Sequence, residues 1–189
     1  MRARLARAAI DSLIERGYAR TSPVEVCARA GVTRGAFHHH FPSLAALYAE
    51  SLRGLYAELT RAIVVQTAAT TKLSPLVQLV HHTFASTRRR EFKAVIEIWL
   101  AARNDEALRD ELVPLIEQLS GIFSPVHNPR LAQRLGTSRK AAAFYRLVME
   151  AMIGLALGRA VAAGGRAVAH EKVVVDLLLE LAAGYDRAP

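Results

Sequence analysis

Apolar residues recur along this chain at the three- and four-residue spacing of an amphipathic α-helix. Leu5, Ala9, Ile10 and Leu13 show this spacing near the start, and Gly17 is expected to end the first helix. Further stripes of the same period follow to the end of the sequence, and the strict alternation of a half-buried β-strand is nearly missing. The pattern predicts an all-α fold of about nine helices.

Short polar residues indicate where the predicted helices begin. Residues 22–25, Ser-Pro-Val-Glu, have the order of a capping box, in which the serine caps helix 2 and the glutamate reaches back to its amide. The other predicted caps are Thr33 for helix 3, Ser43 for helix 4, Ser74 for helix 5, and Thr137 or Ser138 for helix 8. Helices 2 and 3, joined at Gly31 and preceded by a longer helix, describe a helix-turn-helix.

Loops and helix ends are also predicted. Helix 4 should fade between residues 66 and 71, and residues 124–136 should form a connection with one helical turn at residues 131–135. Helix 9 should cover residues 168–183 and end at Gly184. Val32, beside the Gly31 turn, is expected to be a buried plug.

Composition narrows the function classes. The single Cys excludes an intramolecular disulfide framework, and no run free of Lys, Arg, Asp and Glu exceeds 15 residues, so a membrane span is not expected. The start lacks the apolar core of a signal peptide, which favours a cytoplasmic location. No nucleophile, base and orienter stand at recognisable spacing, and no phosphate-binding glycine loop follows a strand. Neither an enzyme nor a cofactor is therefore expected.

Charge points to an acidic partner. The net charge is +8, and residues 1–43 hold seven Lys and Arg against three Asp and Glu, so the N-terminal quarter is the concentrated basic end.

About the first 50 residues resemble the DNA-binding signature of TetR-type (tetracycline-repressor-like) regulators. The matching parts are Glu-Arg-Gly-Tyr at 15–18, Thr-Ser at 21–22, Ala-Arg-Ala-Gly-Val at 28–32, Gly35, and His-His-Phe-Pro-Ser at 39–43. Residues 97–109 also resemble the pattern of these regulators. The resemblance implies a helix-turn-helix domain at 1–50, an effector-binding and dimerisation domain at 51–189, and double-stranded operator DNA as partner.

The first turn of helix 3 fits a major-groove reader. A recognition helix needs small residues where its backbone approaches DNA and hydrogen-bonding residues beside them. Thr33, Arg34, Gly35 and Ala36 supply both: the arginine can pair with guanine O6 and N7, and the alanine methyl can meet a thymine methyl. Thr21 and Ser22, at the start of helix 2, are predicted phosphate contacts because free amides and the helix dipole point outward there.

Three consecutive histidines, His38, His39 and His40, complete the predicted DNA-binding set. They point about 100° apart around a helix and cannot converge on one metal ion. The resemblance implies that side chains at these positions touch bases or phosphates. His38 replaces the usual tyrosine, and Leu44 stands where a phosphate-binding lysine is frequent, so we expect weaker or differently anchored binding that Arg2 and Arg4 would offset.

Helices 8 and 9 are apolar around more of their circumference than one core stripe requires. This favours packing inward on the same chain and outward on a twofold mate, as in a homodimer. A fully buried monomer core is the alternative. The predicted interface residues are Ala151, Gly154, Gly158, Val174, Leu177, Leu178 and Leu181.

Helices 5 to 8 are the predicted location of a mostly apolar small-molecule effector, neutral or anionic. The same positions also suit ordinary core packing. The predicted ligand-binding residues are His81, Phe84, Trp99, Arg103, Phe123, Tyr145, Met149 and Met152.

These expectations describe a dimeric transcriptional regulator, most often a repressor, whose operator is released when an effector changes the separation of the two recognition helices. The alternative is an architectural or interaction module that uses the helix-turn-helix without an effector. An enzyme is the remote third possibility.

Overall fold

A computed structural model describes residues 1–66, 73–122, 129, 132–133, 136–162 and 169–185, without the side chains of 59–66 and 119–122. Over these residues the regular structure is entirely helical, which confirms the predicted all-α class and nine helices. The helices are α1 (Arg2–Arg16), α2 (Pro23–Ala30), α3 (Arg34–His40), α4 (Leu44–Gln66), α5 (Pro75–Thr87), α6 (Arg90–Ala102), α7 (Glu106–Ile122), α8 (Arg139–Val161) and α9 (Glu171–Tyr185), with a 3₁₀ turn at Tyr18–Arg20.

The predicted cap residues begin the helices they were assigned to. The hydroxyl oxygens of Ser22, Thr33, Ser43, Ser74 and Ser138 each accept a hydrogen bond from the amide three residues further on, at 3.0–3.3 Å. Each bond satisfies an amide that has no partner within its own helix. Helix 8 therefore starts after Ser138 and not after Thr137.

Some boundaries differ from the prediction. α9 starts at Glu171 and continues through Gly184 to Tyr185. The Tyr185 ring packs against Phe144 in a tilted arrangement, with centroids 5.4 Å apart, and this contact accounts for a helix that does not stop at glycine. Val32 is half-buried and not a fully buried plug.

Two other predictions fall mainly outside the described residues. α4 runs to Gln66, and residues 67–72 are not described. Of the predicted turn at 131–135, Ala132 and Gln133 are described and helical, and the Gly136 amide donates to the Ala132 carbonyl at 2.9 Å.

The chain divides into two compact units. Unit 1 comprises Met1–Ala57 and Arg90–Gln118, and unit 2 comprises Glu58–Arg89 and Leu119–Pro189. Unit 1 thus contains α1 to α3 together with α6 and most of α7. The division into functional domains at 1–50 and 51–189 stays a prediction.

The core of unit 1 joins the helix-turn-helix to α6 and α7. Within the unit, α1 packs against both α2 and α6, and α2 packs against α3. Its fully buried side chains include Leu5, Leu13, Phe37, Phe41, Leu47, Tyr48, Leu52, Ile98, Leu108 and Leu112.

The core of unit 2 is formed by α5, α8 and α9. By length and composition alone, α8 is the one helix of the described residues that could cross a membrane. Eight of its residues are buried in this structure, five of them in the core cluster with Leu79 and Val175. Packing against α5 and α9 therefore accounts for much of its apolar character.

Three charged side chains, of which Glu171 and Arg159 are buried, link the ends of these three helices. Glu171, at the start of α9, lies 2.7 Å from an Arg88 nitrogen and 3.1 Å from an Arg159 nitrogen. Arg159 also donates to the carbonyl and hydroxyl oxygens of Thr87 at the end of α5, both at 3.0 Å.

Candidate nucleic-acid interface

The turn between α2 and α3 is fixed by Gly31. Its φ of 61° and ψ of 45° lie in the left-handed region, which glycine adopts without the steric penalty of a Cβ atom. α3 then starts at once, because the Thr33 hydroxyl accepts from the Ala36 amide at 3.1 Å. The chain therefore has the compact helix-turn-helix geometry that the sequence predicted.

α3 has one buried face and one open face. Phe37 is fully buried and Phe41, just after the helix, is 2% exposed, so both anchor α3 in the core of unit 1. The remaining side of the helix carries the predicted DNA-binding residues. Thr33, Arg34, Gly35, His38 and His39 are exposed, and Ala36 and His40 are half-buried.

Arg34 is uncommitted, whereas nearby arginines are paired. Arg29 lies 2.7 Å from Glu15 and 3.5 Å from Glu25, and Arg16 lies 3.2 Å from Glu25. Arg34 has no hydrogen bond or ion pair to the described residues and stands beside Gly35, where a Cβ would meet nothing closer than 3.9 Å. The first turn of α3 thus offers a free guanidinium next to a bare stretch of backbone.

Only the serine half of the predicted capping box is present in the structure. Ser22 accepts from the Glu25 amide at 3.3 Å as expected. The Glu25 side chain pairs with Arg16 and Arg29, and this pairing replaces the expected contact with the Ser22 amide.

Thr21, a predicted phosphate contact, does not lie on the exposed surface. It is buried, its hydroxyl lies 3.0 Å from the Ser12 hydroxyl, and it donates to the Gly17 carbonyl at 2.9 Å. A hydroxyl held between α1 and the start of α2 is not available to a phosphate. Ser22, the next residue, is exposed and remains a candidate.

The three histidines are oriented around α3 as successive helical residues must be. The His38 ring meets Phe37 edge-on at 5.2 Å, and the His39 and His40 rings lie 5.1 Å apart. Partial burial, and after it the neighbouring His39 and Arg2, lower the pKa of His40, which favours its neutral form. Among the residues whose side chains are described, no group of three His, Cys, Asp or Glu is placed to hold a metal ion.

Hydrogen bonds link α1 and the 3₁₀ turn to α6 and to the start of α7, and the sequence did not predict them. The Tyr18 amide donates to Glu97 at 3.0 Å, and the Tyr18 hydroxyl donates to Asp105 at 2.5 Å. Lys93 donates to the Ile14 carbonyl at 2.9 Å, near the end of α1. Tyr18 and Asp105 are 87 residues apart. The sequence indicated only that Tyr18 belongs to the 15–18 motif and that Glu97 and Asp105 belong to the 97–109 segment.

The comparison with protein families decides what kind of helix-turn-helix this is. Residues 5–50 match the model of bacterial regulatory proteins of the tetR family. The helix-turn-helix of this chain is similar to that of the tetR family. This confirms the resemblance of its first 50 residues.

Curated helix-turn-helix regulators are similar to a longer part of the chain. An uncharacterised helix-turn-helix transcriptional regulator of Mycobacterium tuberculosis is 33% identical over 122 residues, which cover 62% of this chain and 61% of the relative. The regulator CymR of Pseudomonas putida is 30% identical over 119 residues, 61% of this chain and 57% of that protein. The matches thus span about three fifths of these relatives' length.

Solved structures of regulators share the fold of this chain over nearly its whole length. A transcriptional regulator from Rhodococcus sp. Rha1 has a TM-score of 0.73 and 21% identity, covering 100% of this chain and 99% of that one. A regulator from Saccharomonospora viridis, solved in complex with choline, has a TM-score of 0.64 and 18% identity, covering 97% and 94%. The multidrug binding protein EbrR, complexed with imidazole, has a TM-score of 0.65 and 22% identity, covering 95% and 93%.

The predicted effector residues are divided between the two units. In unit 2, Tyr145 and Met152 belong to the core cluster, Phe84 and Met149 pack against it half-buried, and His81 is exposed. In unit 1, Trp99 is half-buried and Arg103 is exposed, and Phe123 lies outside the described residues. Burial raises the pKa of Tyr145 well above its ordinary value, so its hydroxyl stays protonated.

The predicted interface residues of α8 and α9 fall into two classes. Gly154, Leu177 and Leu181 are exposed, and Ala151, Gly158 and Val174 are half-buried. Leu178 is 4% exposed within the core of its own chain, so it cannot meet a second copy while that core is intact. This corrects its assignment: one position further along the helix turns a side chain by about 100°, from the outer surface to the core.

Proposed function

We propose that this chain is a transcriptional regulator, most simply a repressor, that binds a palindromic DNA operator as a homodimer. The observation that carries the proposal is the open first turn of α3, with its free Arg34 beside Gly35. The match of residues 5–50 to the tetR family supports it. α3 would enter the major groove with this turn against base edges.

Within the proposed interface the exposed residues divide by what they can reach. Arg34 can donate two hydrogen bonds to guanine, and the Ala36 methyl suits thymine. Thr33 and the exposed histidines flank this turn. Ser22 stands at the start of α2, where the helix dipole favours a phosphate.

The homodimer is supported by apolar side chains that the chain leaves uncovered on α8 and α9. On α9 they repeat every four residues, at Val173, Leu177 and Leu181, which are 58%, 53% and 49% exposed. On α8 the exposed side chains of Leu147 and Val161 stand fourteen residues apart, with the exposed Gly154 midway between them, and α8 packs against α9. Two adjacent helices with such stripes fit a self-complementary twofold interface.

The proposed effector is a small molecule, mostly apolar. Support comes from the neighbours solved with imidazole and with choline, although their likeness to this chain concerns the fold. Within unit 2, the half-buried Phe84 and Met149 beside Tyr145 and Met152 are the best placed of the predicted residues. Met and aromatic side chains adapt readily to ligand shape.

The regulatory character of the family and of the relatives supports the prediction that the chain is not an enzyme. It also supports action on DNA in the cytoplasm.

The experiment starts from a duplex selected by the wild-type protein from a random-sequence library. Arg34→Ala should weaken binding to this duplex by about 1–3 kcal/mol and relax the preference at one base pair per half-site. Ser22→Ala should weaken binding to the selected and to a random duplex alike, because a phosphate contact carries no base information.

Two outcomes would contradict the proposal. If the wild type enriches no sequence, it is not an operator-binding regulator, and the module without an effector becomes the better account. Equal losses for Arg34→Ala on the selected and the random duplex would make Arg34 a phosphate contact and remove the proposed base reading.

A further inference from the structure

The C-terminal end of α2 leaves carbonyl groups that the turn itself does not satisfy. The Gly31 amide donates to the Ala28 carbonyl at 3.2 Å, and the Val32 amide donates to the Cys27 carbonyl at 3.0 Å. These are the two bonds of a Schellman turn. The Ala30 and Gly31 carbonyls come after them and point beyond the helix end.

Arg4, in the first turn of α1, supplies the missing donors. Its Nη2 lies 2.5 Å from the Ala30 carbonyl oxygen and 3.2 Å from that of Gly31. A guanidinium suits this position because it has several donors in one plane and because a cation is favoured at the negative end of a helix. A Cβ on Gly31 would stand 3.6 Å from the same nitrogen, so the approach is close.

Arg2 makes the equivalent contact at the end of α3. Its Nη1 donates to the His40 carbonyl at 2.9 Å, and its guanidinium carbon lies 4.5 Å from the centre of the Phe41 ring. Glu50 on α4 lies 3.6 Å from the other terminal nitrogen. The first turn of α1 therefore holds the ends of both helices of the helix-turn-helix.

We propose that Arg4, assisted by Arg2, is a positioning residue for DNA recognition, which holds the turn between α2 and α3 so that α3 presents Arg34 and Gly35 to the base edges. This inference rests on the proposed function. It replaces the expectation that Arg2 and Arg4 compensate for a missing phosphate contact, because the Arg4 guanidinium is engaged by two main-chain carbonyls of α2 and the turn.

The test compares Arg4→Met with Arg7→Met. Both substitutions remove one positive charge from α1 and keep a long, helix-compatible side chain. Arg7 pairs with Asp11 on the same helix at 3.2 Å and is the matched control. Binding of each variant is measured across a range of salt concentrations, both to the duplex selected by the wild type and to a random duplex.

A positioning role predicts loss of specificity without loss of a phosphate contact. Arg4→Met should bind the selected duplex about tenfold more weakly, with little change on the random duplex and an unchanged salt dependence. Arg7→Met should change both affinities little and alike. Arg4→Lys should recover part of the loss, since an ammonium can still reach one of the carbonyls.

Three results would overturn the inference. One is a loss for Arg4→Met no larger than for Arg7→Met. Another is an equal loss on both duplexes with a salt slope smaller by about one unit, which indicates a phosphate contact. The third is an Arg4→Met protein whose Gly31 and Val32 amide resonances are the same as in the wild type, because the turn would then not depend on Arg4. If Arg4→Met does not fold, Arg4→Gln is judged by the same three criteria, with Arg7→Gln as its control, because this substitution also removes the charge.

A wild type that selects no duplex would instead contradict the proposed function. The two failures are therefore distinguishable.

Discussion

At the scale of single residues, Tyr18 is the polar joint that ties the helix-turn-helix to α6 and α7 inside unit 1. Its amide is held by Glu97 and its hydroxyl by Asp105. The hydrogen bond from Tyr18, and after it the Leu108 amide, lower the pKa of Asp105 below its usual 3.8. Burial, followed by Asp105, raises the pKa of Tyr18. Both shifts favour the pair of neutral phenol and charged carboxylate at neutral pH.

Tyr18→Phe should therefore lower the free energy of unfolding by about 1–2 kcal/mol at pH 7, where the hydrogen bond to a charged acceptor is lost. A depressed carboxyl pKa contributes stability above its unfolded value and loses it as pH falls through the folded value. The difference between variant and wild type should hence fade as pH falls below about 3.8.

Chemical denaturation between pH 7 and pH 3 measures this difference. Tyr185→Phe is the control, because the Tyr185 hydroxyl donates to the main-chain carbonyl of Lys140, which carries no charge at any pH. A deficit for Tyr18→Phe that is the same at both ends of the range would show that Asp105 is not its source.

The same residues show what the sequence could not predict. A motif identifies the neighbourhood of Thr21 and Tyr18, but their partners depend on how distant segments pack. Thr21 has the composition of a phosphate contact and is instead buried against Ser12, and Asp105 lies 87 residues from Tyr18. Arg34 and Gly35 were predictable because their exposure follows from the two phenylalanines that anchor α3.

At the scale of elements, helix starts were predictable and helix ends were less so. A cap is local: one hydroxyl and the amide three residues further on determine it, and every assigned cap is present. The end of α9 depends on Tyr185 packing against Phe144 of α8, which no local signal at Gly184 shows. Packing also distinguishes Leu177 from Leu178: the first is exposed and the second is buried, although the two neighbours have the same side chain.

Leu177→Glu should produce a folded monomer. The side chain is 53% exposed, so the charge stays in water in one copy and would be buried in the proposed twofold interface. The monomer should bind the selected duplex weakly, because it contacts one half-site. Light scattering with circular dichroism measures mass and helicity together.

Leu178→Glu is the matched control and should behave differently. A charge introduced into the core of unit 2 should destabilise the fold by several kcal/mol. A wild-type protein that is already monomeric at micromolar concentration would contradict the proposed dimer.

At the scale of the whole molecule, regulation requires that the effector and the operator compete through the protein. If an effector weakens operator binding by some factor, the operator must weaken effector binding by the same factor. Trp99, the single Trp of the chain and half-buried in unit 1, is a natural reporter.

We therefore expect that a library of aromatic and acyl compounds contains one that both quenches Trp99 fluorescence and lowers affinity for the selected duplex. Fluorescence titration with and without the duplex measures the coupling factor from each side. If every compound that lowers operator affinity leaves the fluorescence unchanged and acts equally on Trp99→Phe, Trp99 is not part of the effector site, and the residues of unit 2 become the better candidates.

If this chain reads DNA sequence, its affinities for a selected and a random duplex must differ strongly. Equilibrium binding of the wild-type protein to its selected duplex and to a random duplex is measured at the same near-physiological salt concentration. We expect a ratio of about a thousandfold or more, with both affinities falling as salt is raised. A ratio near one would contradict it, because electrostatic attraction between a basic helix-turn-helix and DNA is then all that remains.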